Sequence, residues 1–123
     1  MLPITSTVAS LAAISLVALS VPVSLRRMKV GVRIGFGDDT ALLRRIRAQG
    51  NFTEYVPLTL ILLALAEYRQ APVTLLWGIA SLLIVGRALH VAGILTGSTP
   101  LRAPGMVGTY SALLVGAGTL MFG

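Results

Sequence analysis

The sequence predicts an all-α integral membrane protein, an antiparallel bundle of four transmembrane helices, and three observations predict it. Of 123 residues, 55% are hydrophobic and 11% charged, with a mean hydropathy of +0.88, beyond the range of an ordinary soluble domain. The apolar residues fall into four runs parted by polar or glycine- and proline-rich segments, and a helix needs about 20 residues to cross a bilayer, a length the second run reaches only by drawing in polar neighbours. Seven of the ten basic residues (Arg26, Arg27, Lys29, Arg33, Arg44, Arg45 and Arg47) lie in one segment between the first two runs. A membrane-surface loop accounts for them, so the net charge of +6 does not call for nucleic acid as a partner. Residues 1–123 make one domain, with no room for a separate soluble module. Cysteine is absent, which excludes disulfides, a thiolate nucleophile and thiolate-held metal; any thiol chemistry must come from a bound molecule.

The first span covers about residues 2–25, where Ser6, Ser10 and Ala13 are spaced to form a small-residue strip that could face another helix. A cleaved signal peptide is the alternative reading, but the basic residues follow the apolar core instead of preceding it. Positive charge after this span is expected to hold a loop of about residues 26–46 in the cytoplasm, with both termini on the other side. Within it, GVRIGFGDD carries glycines at 31, 35 and 37, in a spacing that fits neither a Walker A loop nor a dinucleotide fingerprint. Asp38 or Asp39 suits an N-cap, its carboxylate accepting from free amides of a helix that starts near Thr40.

A helix from Thr40 to Tyr68 is about 43 Å long, so it projects past the bilayer with its arginines in the interface. Its membrane portion is about residues 48–68. Pro57 removes a backbone donor and frees the Thr53 carbonyl, which predicts a kink. Residues 69–72, RQAP, read as a tight turn. The third span, about 73–95, places Arg87 about 21 Å and His90 about 26 Å along its length, on one face with Ile94. GSTPLRAPG reads as a loop, and the fourth span, about 106–122, holds Tyr110 one turn inside its cytoplasmic end. Gly108, Ala112 and Gly116 form a close-packing strip.

The second helix carries the chemistry. Between Glu54 and Glu67 only twelve uncharged residues intervene, fewer than the about 20 that a span needs, so Asn51 and Glu54 are drawn into the membrane. Arg44, Arg47, Asn51 and Glu54 fall within an arc of about 80° on a helix, one polar stripe. Arg87, His90 and Tyr110 are brought to the same end of the bundle. Intramembrane charges pair, face the bundle interior and mark functional sites. A purely structural reading is an ion pair between Glu54 and Arg87, with Asn51 hydrogen-bonded across the bundle. One glutamate cannot neutralise Arg44, Arg47 and Arg87 together, however, and the surplus positive charge invites an anion. His90 alone fits a packed helix-end histidine, Tyr110, Tyr55 and Trp77 fit an aromatic belt, and Arg26, Arg27, Lys29, Arg33 and Arg45 fit a patch facing anionic lipid. One histidine and few carboxylates exclude zinc, and no serine hydrolase pattern is present. Arginines that fork onto carboxylates, a glutamate for an ammonium and an asparagine for an amide suit a short peptide.

RRIRAQGNFTEYVPLTLILLALAE, residues 44–67, resembles the signature of the MAPEG family (membrane-associated proteins in eicosanoid and glutathione metabolism), and is most similar to its small bacterial members. Gly37-Asp38-Asp39, GRALH in the third span and PLRAPG before the fourth extend the resemblance over nearly the whole chain. It implies a four-helix protomer in a homotrimer, with glutathione bound between neighbouring subunits on the cytoplasmic side of a bacterial inner membrane. Arg47, Asn51 and Glu54 match the family's glutathione-contacting residues, Arg87 and His90 its third-helix Arg-x-x-His pair, Tyr110 a tyrosine near glutathione, and Arg26 the first-helix arginine. With Arg44 these form the expected binding set. Tyr110 and Arg87 are the candidates for acting on the thiol.

Three departures from the pattern matter. Gln49 and Gly50 stand where relatives commonly have histidine and, in several eukaryotic members, arginine. Ile94 replaces a tyrosine. Met106 and Val107 align with the Arg-Ser pair implicated in thiol activation in the prostaglandin synthase branch, which argues against prostaglandin isomerisation. The expected function is a glutathione transferase acting on hydrophobic electrophiles, with peroxidase chemistry open to the same thiolate. The competing expectation is a non-enzymatic membrane protein that binds a lipid or small anion in the same basic pocket.

Overall fold

A computed structural model describes residues 1–123 as four helices, α1 (Pro3–Val30), α2 (Thr40–Tyr68), α3 (Val73–Thr96) and α4 (Thr99–Phe122). Three contacts between helix ends show that helices successive in sequence run antiparallel. At one end, Glu67 near the close of α2 accepts from the Ile4 and Thr5 amides at 2.9 and 2.8 Å, supplying from another helix the cap that α1 lacks locally. There too Arg69 donates to the Leu120 carbonyl at 2.9 Å, satisfying the close of α4. At the opposite end, the Arg44 guanidinium of α2 lies against Gly97, the αL residue that ends α3.

α1, α3 and α4 are each long and apolar enough to cross a membrane. α2 alone is not, because Arg44, Arg45, Arg47 and Glu54 interrupt it. Its apolar stripe of Phe52, Val56, Leu63 and Ala66 is nonetheless the centre of the core, packed on Leu76, Ile79, Ala80 and Leu83 of α3. The outer faces carry exposed Leu11, Ile14, Val17, Val21 and Leu25 on α1 and Leu114, Met121 and Phe122 on α4. Water does not suit such a surface, which belongs against lipid or a partner subunit within the membrane. This is a membrane-embedded four-helix bundle.

The α3–α4 seam is the tightest in the molecule. A methyl group on Gly86 would come within 2.9 Å of the Gly105 carbonyl oxygen and the Thr109 amide nitrogen. Of the expected Gly108, Ala112 and Gly116 strip, Gly108 packs on Gly86 and Leu82 of α3, whereas Gly116 packs on Leu62 of α2; Ala112 and Gly116 are buried. Ser6, Ser10 and Ala13 behave otherwise: all three are exposed, so that strip faces no other helix of the chain.

Two boundaries differ from the sequence reading. α1 continues through Arg26, Arg27 and Lys29 to Val30, stopping only where Gly31 adopts φ 71° and its amide donates to the Arg27 carbonyl. The expected 26–46 loop is therefore a nine-residue connector, 31–39, flanked by helix. Charge at a helix end can snorkel and does not break the helix. The expected loop before the fourth span is also mostly helical, because α4 begins at Thr99. Pro100 sits in its first turn, where no intrahelical donor is needed, and Pro104 leaves only the Pro100 carbonyl without its helical partner. Asp39 is the N-cap of α2, its side chain accepting from the Leu42 amide at 2.9 Å.

Candidate functional site

At the connector end, α2, α3 and α4 splay around a cavity of about 1090 Å³. The α2 stripe forms one wall: Arg44, Arg47, Asn51 and Glu54 all line it. α3 contributes His90 and Ile94, and α4 contributes Arg102, Met106 and Tyr110. Arg27 closes it from α1, and its Nη1 donates to the Gly35 carbonyl at 2.6 Å, which pins the connector over the opening. Four guanidiniums thus surround one carboxylate, and nothing within the chain forms a salt bridge to Glu54.

Arg87 lies behind this wall instead of on it. It is 6% exposed, its Nη1 donates to Asn51 Oδ1 at 2.6 Å, and its Nη2 approaches the Met106 sulfur at 3.6 Å. The Asn51 side-chain oxygen is thereby engaged, which fixes the amide orientation. The ion pair between Glu54 and Arg87 is not formed; Arg87 selects the neutral amide one turn earlier, and Glu54 remains exposed in the cavity. His90 is 2% exposed, with Nδ1 lacking any partner. The Tyr110 ring meets Tyr55 edge-on, with centroids 5.7 Å apart and planes at 71°, a favoured quadrupolar contact.

Arg26 is not part of the cavity. Its Nε and Nη2 grip Asp39 at 2.8 Å each, a two-pronged pair that ties the end of α1 to the start of α2. That guanidinium, helped by the Leu42 amide, holds the Asp39 carboxyl down at about 2. Arg45 donates to the Pro22 carbonyl at 3.4 Å and so braces α1 instead of facing lipid freely. Arg27, Arg102, Tyr55 and Met106 are lining residues absent from the expected set. The signal for Arg102 was its spacing of four from Met106 and of eight from Tyr110, which puts all three on one helical face once α4 begins at Thr99.

This end of the bundle can therefore take up a polyanionic or zwitterionic molecule beside the membrane, with cations on several sides and one carboxylate for an ammonium. The model of the MAPEG family matches residues 5–122. The chain belongs to the MAPEG family. Among curated relatives of this MAPEG protein, inner membrane protein YecN of Escherichia coli K12 is 32% identical over 107 residues, covering 87% of this chain and 82% of YecN. YecN of Escherichia coli O6:H1 matches to the same extent. No solved structure matches.

Proposed function

We propose that this MAPEG protein is a glutathione-dependent transferase of a bacterial inner membrane, working as a homotrimer with its basic cavity on the cytoplasmic side. The observation that carries the reading is the lining of that cavity: four guanidiniums, one unpaired carboxylate and one oriented amide around about 1090 Å³. Glutathione carries two carboxylates, one ammonium and two amides, and the donor set fits each. Arg44, Arg47 and Arg102 can fork onto carboxylates, Glu54 can take the ammonium, and the Asn51 NH₂ group, left free by the bond from Arg87, can donate to a peptide carbonyl.

When bound, glutathione would supply a thiol as the nucleophile. The chain's task is then electrostatic: a site with net positive charge favours the thiolate over the thiol and raises the reactive fraction near neutral pH. Tyr110, which lines the cavity and meets Tyr55 edge-on, is the candidate to donate a hydrogen bond to that sulfur. Arg87 acts through Asn51, positioning it, and does not meet the thiol. Exposed Val107 beside Tyr110 leaves an apolar approach for hydrophobic electrophiles, and peroxides could use the same thiolate.

Met106 and Val107, where the prostaglandin synthase branch has Arg-Ser, favour a second reading, a protein that binds an anion without turning it over. Conjugation of glutathione to a chlorinated nitroaromatic by detergent-purified protein separates the two. The transferase reading expects turnover that is lost in Arg47→Ala and kept in Arg33→Ala, whose side chain does not line the cavity. Glutathione binding with no turnover would replace it with the second.

A further inference from the structure

Met106 sits where a buried cation meets an open cavity. On one side it is half-buried and lines the basic cavity together with exposed Arg102 and Tyr110, so it is open to small polar solutes held there. On the other, its sulfur lies 3.6 Å from Arg87 Nη2. Arg87 is 6% exposed, has no carboxylate in salt-bridge range, bonds Asn51 Oδ1 through Nη1 and leaves Nε without an acceptor. The sulfur is thus the acceptor for Nη2, and a thioether accepts only weakly. A buried guanidinium is costly while its donors lack good acceptors.

Oxidation of methionine ordinarily harms a packed interior, because it turns an apolar side chain into a polar one. Beside Arg87 the new polar atom meets a poorly satisfied donor instead. We infer that Met106 is an oxidative modification site, and that its sulfoxide, formed by a hydroperoxide entering the basic cavity, is held by Arg87. The thioether sulfur attacks the hydroxyl oxygen of the peroxide, and the O–O bond breaks as the S–O bond forms. The proton on the transferred oxygen passes to the departing one, which leaves as water or an alcohol; sulfur loses two electrons and the peroxide gains them. The sulfoxide oxygen accepts from Nη2 while Nη1 keeps Asn51. A guanidinium gripped at both ends then fixes the Asn51 amide more firmly in the wall of the cavity.

The test uses the full chain in phosphatidylcholine nanodiscs, with Met28→Leu and Met121→Leu at outward-facing positions to remove two other oxidisable sulfurs. After treatment with hydrogen peroxide, peptide mass spectrometry should find one added oxygen at residue 106. The melting temperature should rise by a few degrees, the effect of a gained hydrogen bond to a charged group. Met106→Leu in the same background should show no peroxide-dependent shift, and Arg87→Leu should turn the rise into a fall, because the sulfoxide then has no donor. Met106→Gln, which puts an amide oxygen near the same nitrogen, should melt above Met106→Leu with no oxidant present and keeps the test decisive if Arg87→Leu does not fold. No oxygen gained at residue 106, an unchanged or lower melting temperature on oxidation, or a rise that survives Met106→Leu or Arg87→Leu would overturn the assignment.

Discussion

Replacing Asn51 with leucine removes the one oxygen that Arg87 reaches, and the structure fixes both the size and the sign of what should follow. Arg87 is 6% exposed, bonds Asn51 Oδ1 at 2.6 Å, and has otherwise only the Met106 sulfur at 3.6 Å. A hydrogen bond to a charged group contributes about 1.5–3 kcal/mol, and thioether sulfur is a poor substitute, so Asn51→Leu should destabilise the bundle by about that amount. Arg87→Met alone leaves an amide at the edge of a roomy cavity, where water can satisfy it, and should cost less. The double variant removes both polar partners and leaves no buried unpaired cation, so it should be more stable than Asn51→Leu alone. Equilibrium unfolding in mixed detergent micelles, run as a double-mutant cycle, reads all four states. A double variant that loses the sum of the two single effects would show that the pair is not coupled and would refute the reasoning.

Gly86→Ala drives a methyl against the Gly105 carbonyl and the Thr109 amide, both backbone atoms, and should cost about 1–3 kcal/mol by forcing α3 and α4 apart. Gly118→Ala, where a methyl meets nothing within 4 Å, should be neutral or stabilising by up to about 1 kcal/mol in the same unfolding assay. The Asp39 carboxyl sits at about 2 against an ordinary 3.8. The unfolded chain therefore binds its proton more readily, so the contribution of the Arg26–Asp39 clasp is complete above the ordinary value and is lost as pH falls through about 2. Pepsin cleavage of residues 31–39, normalised to a free peptide of the same sequence, should rise over that interval, and Asp39→Asn should be cleaved readily at every acidic pH.

The number of helices and their contents were legible because a bilayer sets the length of an apolar run so strictly. The polar stripe was legible for a related reason: α2 has too few apolar residues between Glu54 and Glu67 to keep Asn51 and Glu54 out of the membrane. Helix ends were not, since polar composition at residues 26–30 and 99–105 resembles a loop, whereas the helix is broken only at Gly31 and at Gly97, both with positive φ. Partner choice was least legible. Charge complementarity points Arg87 to Glu54, and the family resemblance points Arg26 to glutathione, but the register between α2 and α3 brings Arg87 level with Asn51, and the short connector folds Asp39 back onto Arg26. Arg102 escaped notice with the first turns of α4, because its alignment with Met106 and Tyr110 has meaning only on a helix.

Everything proposed for the basic cavity depends on its holding glutathione, and thermal unfolding of the detergent-purified protein against a panel of low-molecular-weight thiols tests that most directly. A ligand that binds only the folded state raises the melting temperature by mass action. The account predicts an upward shift with millimolar glutathione, absent with a thiol that lacks carboxylates and abolished in Glu54→Ala. Equal melting temperatures with and without glutathione would contradict it.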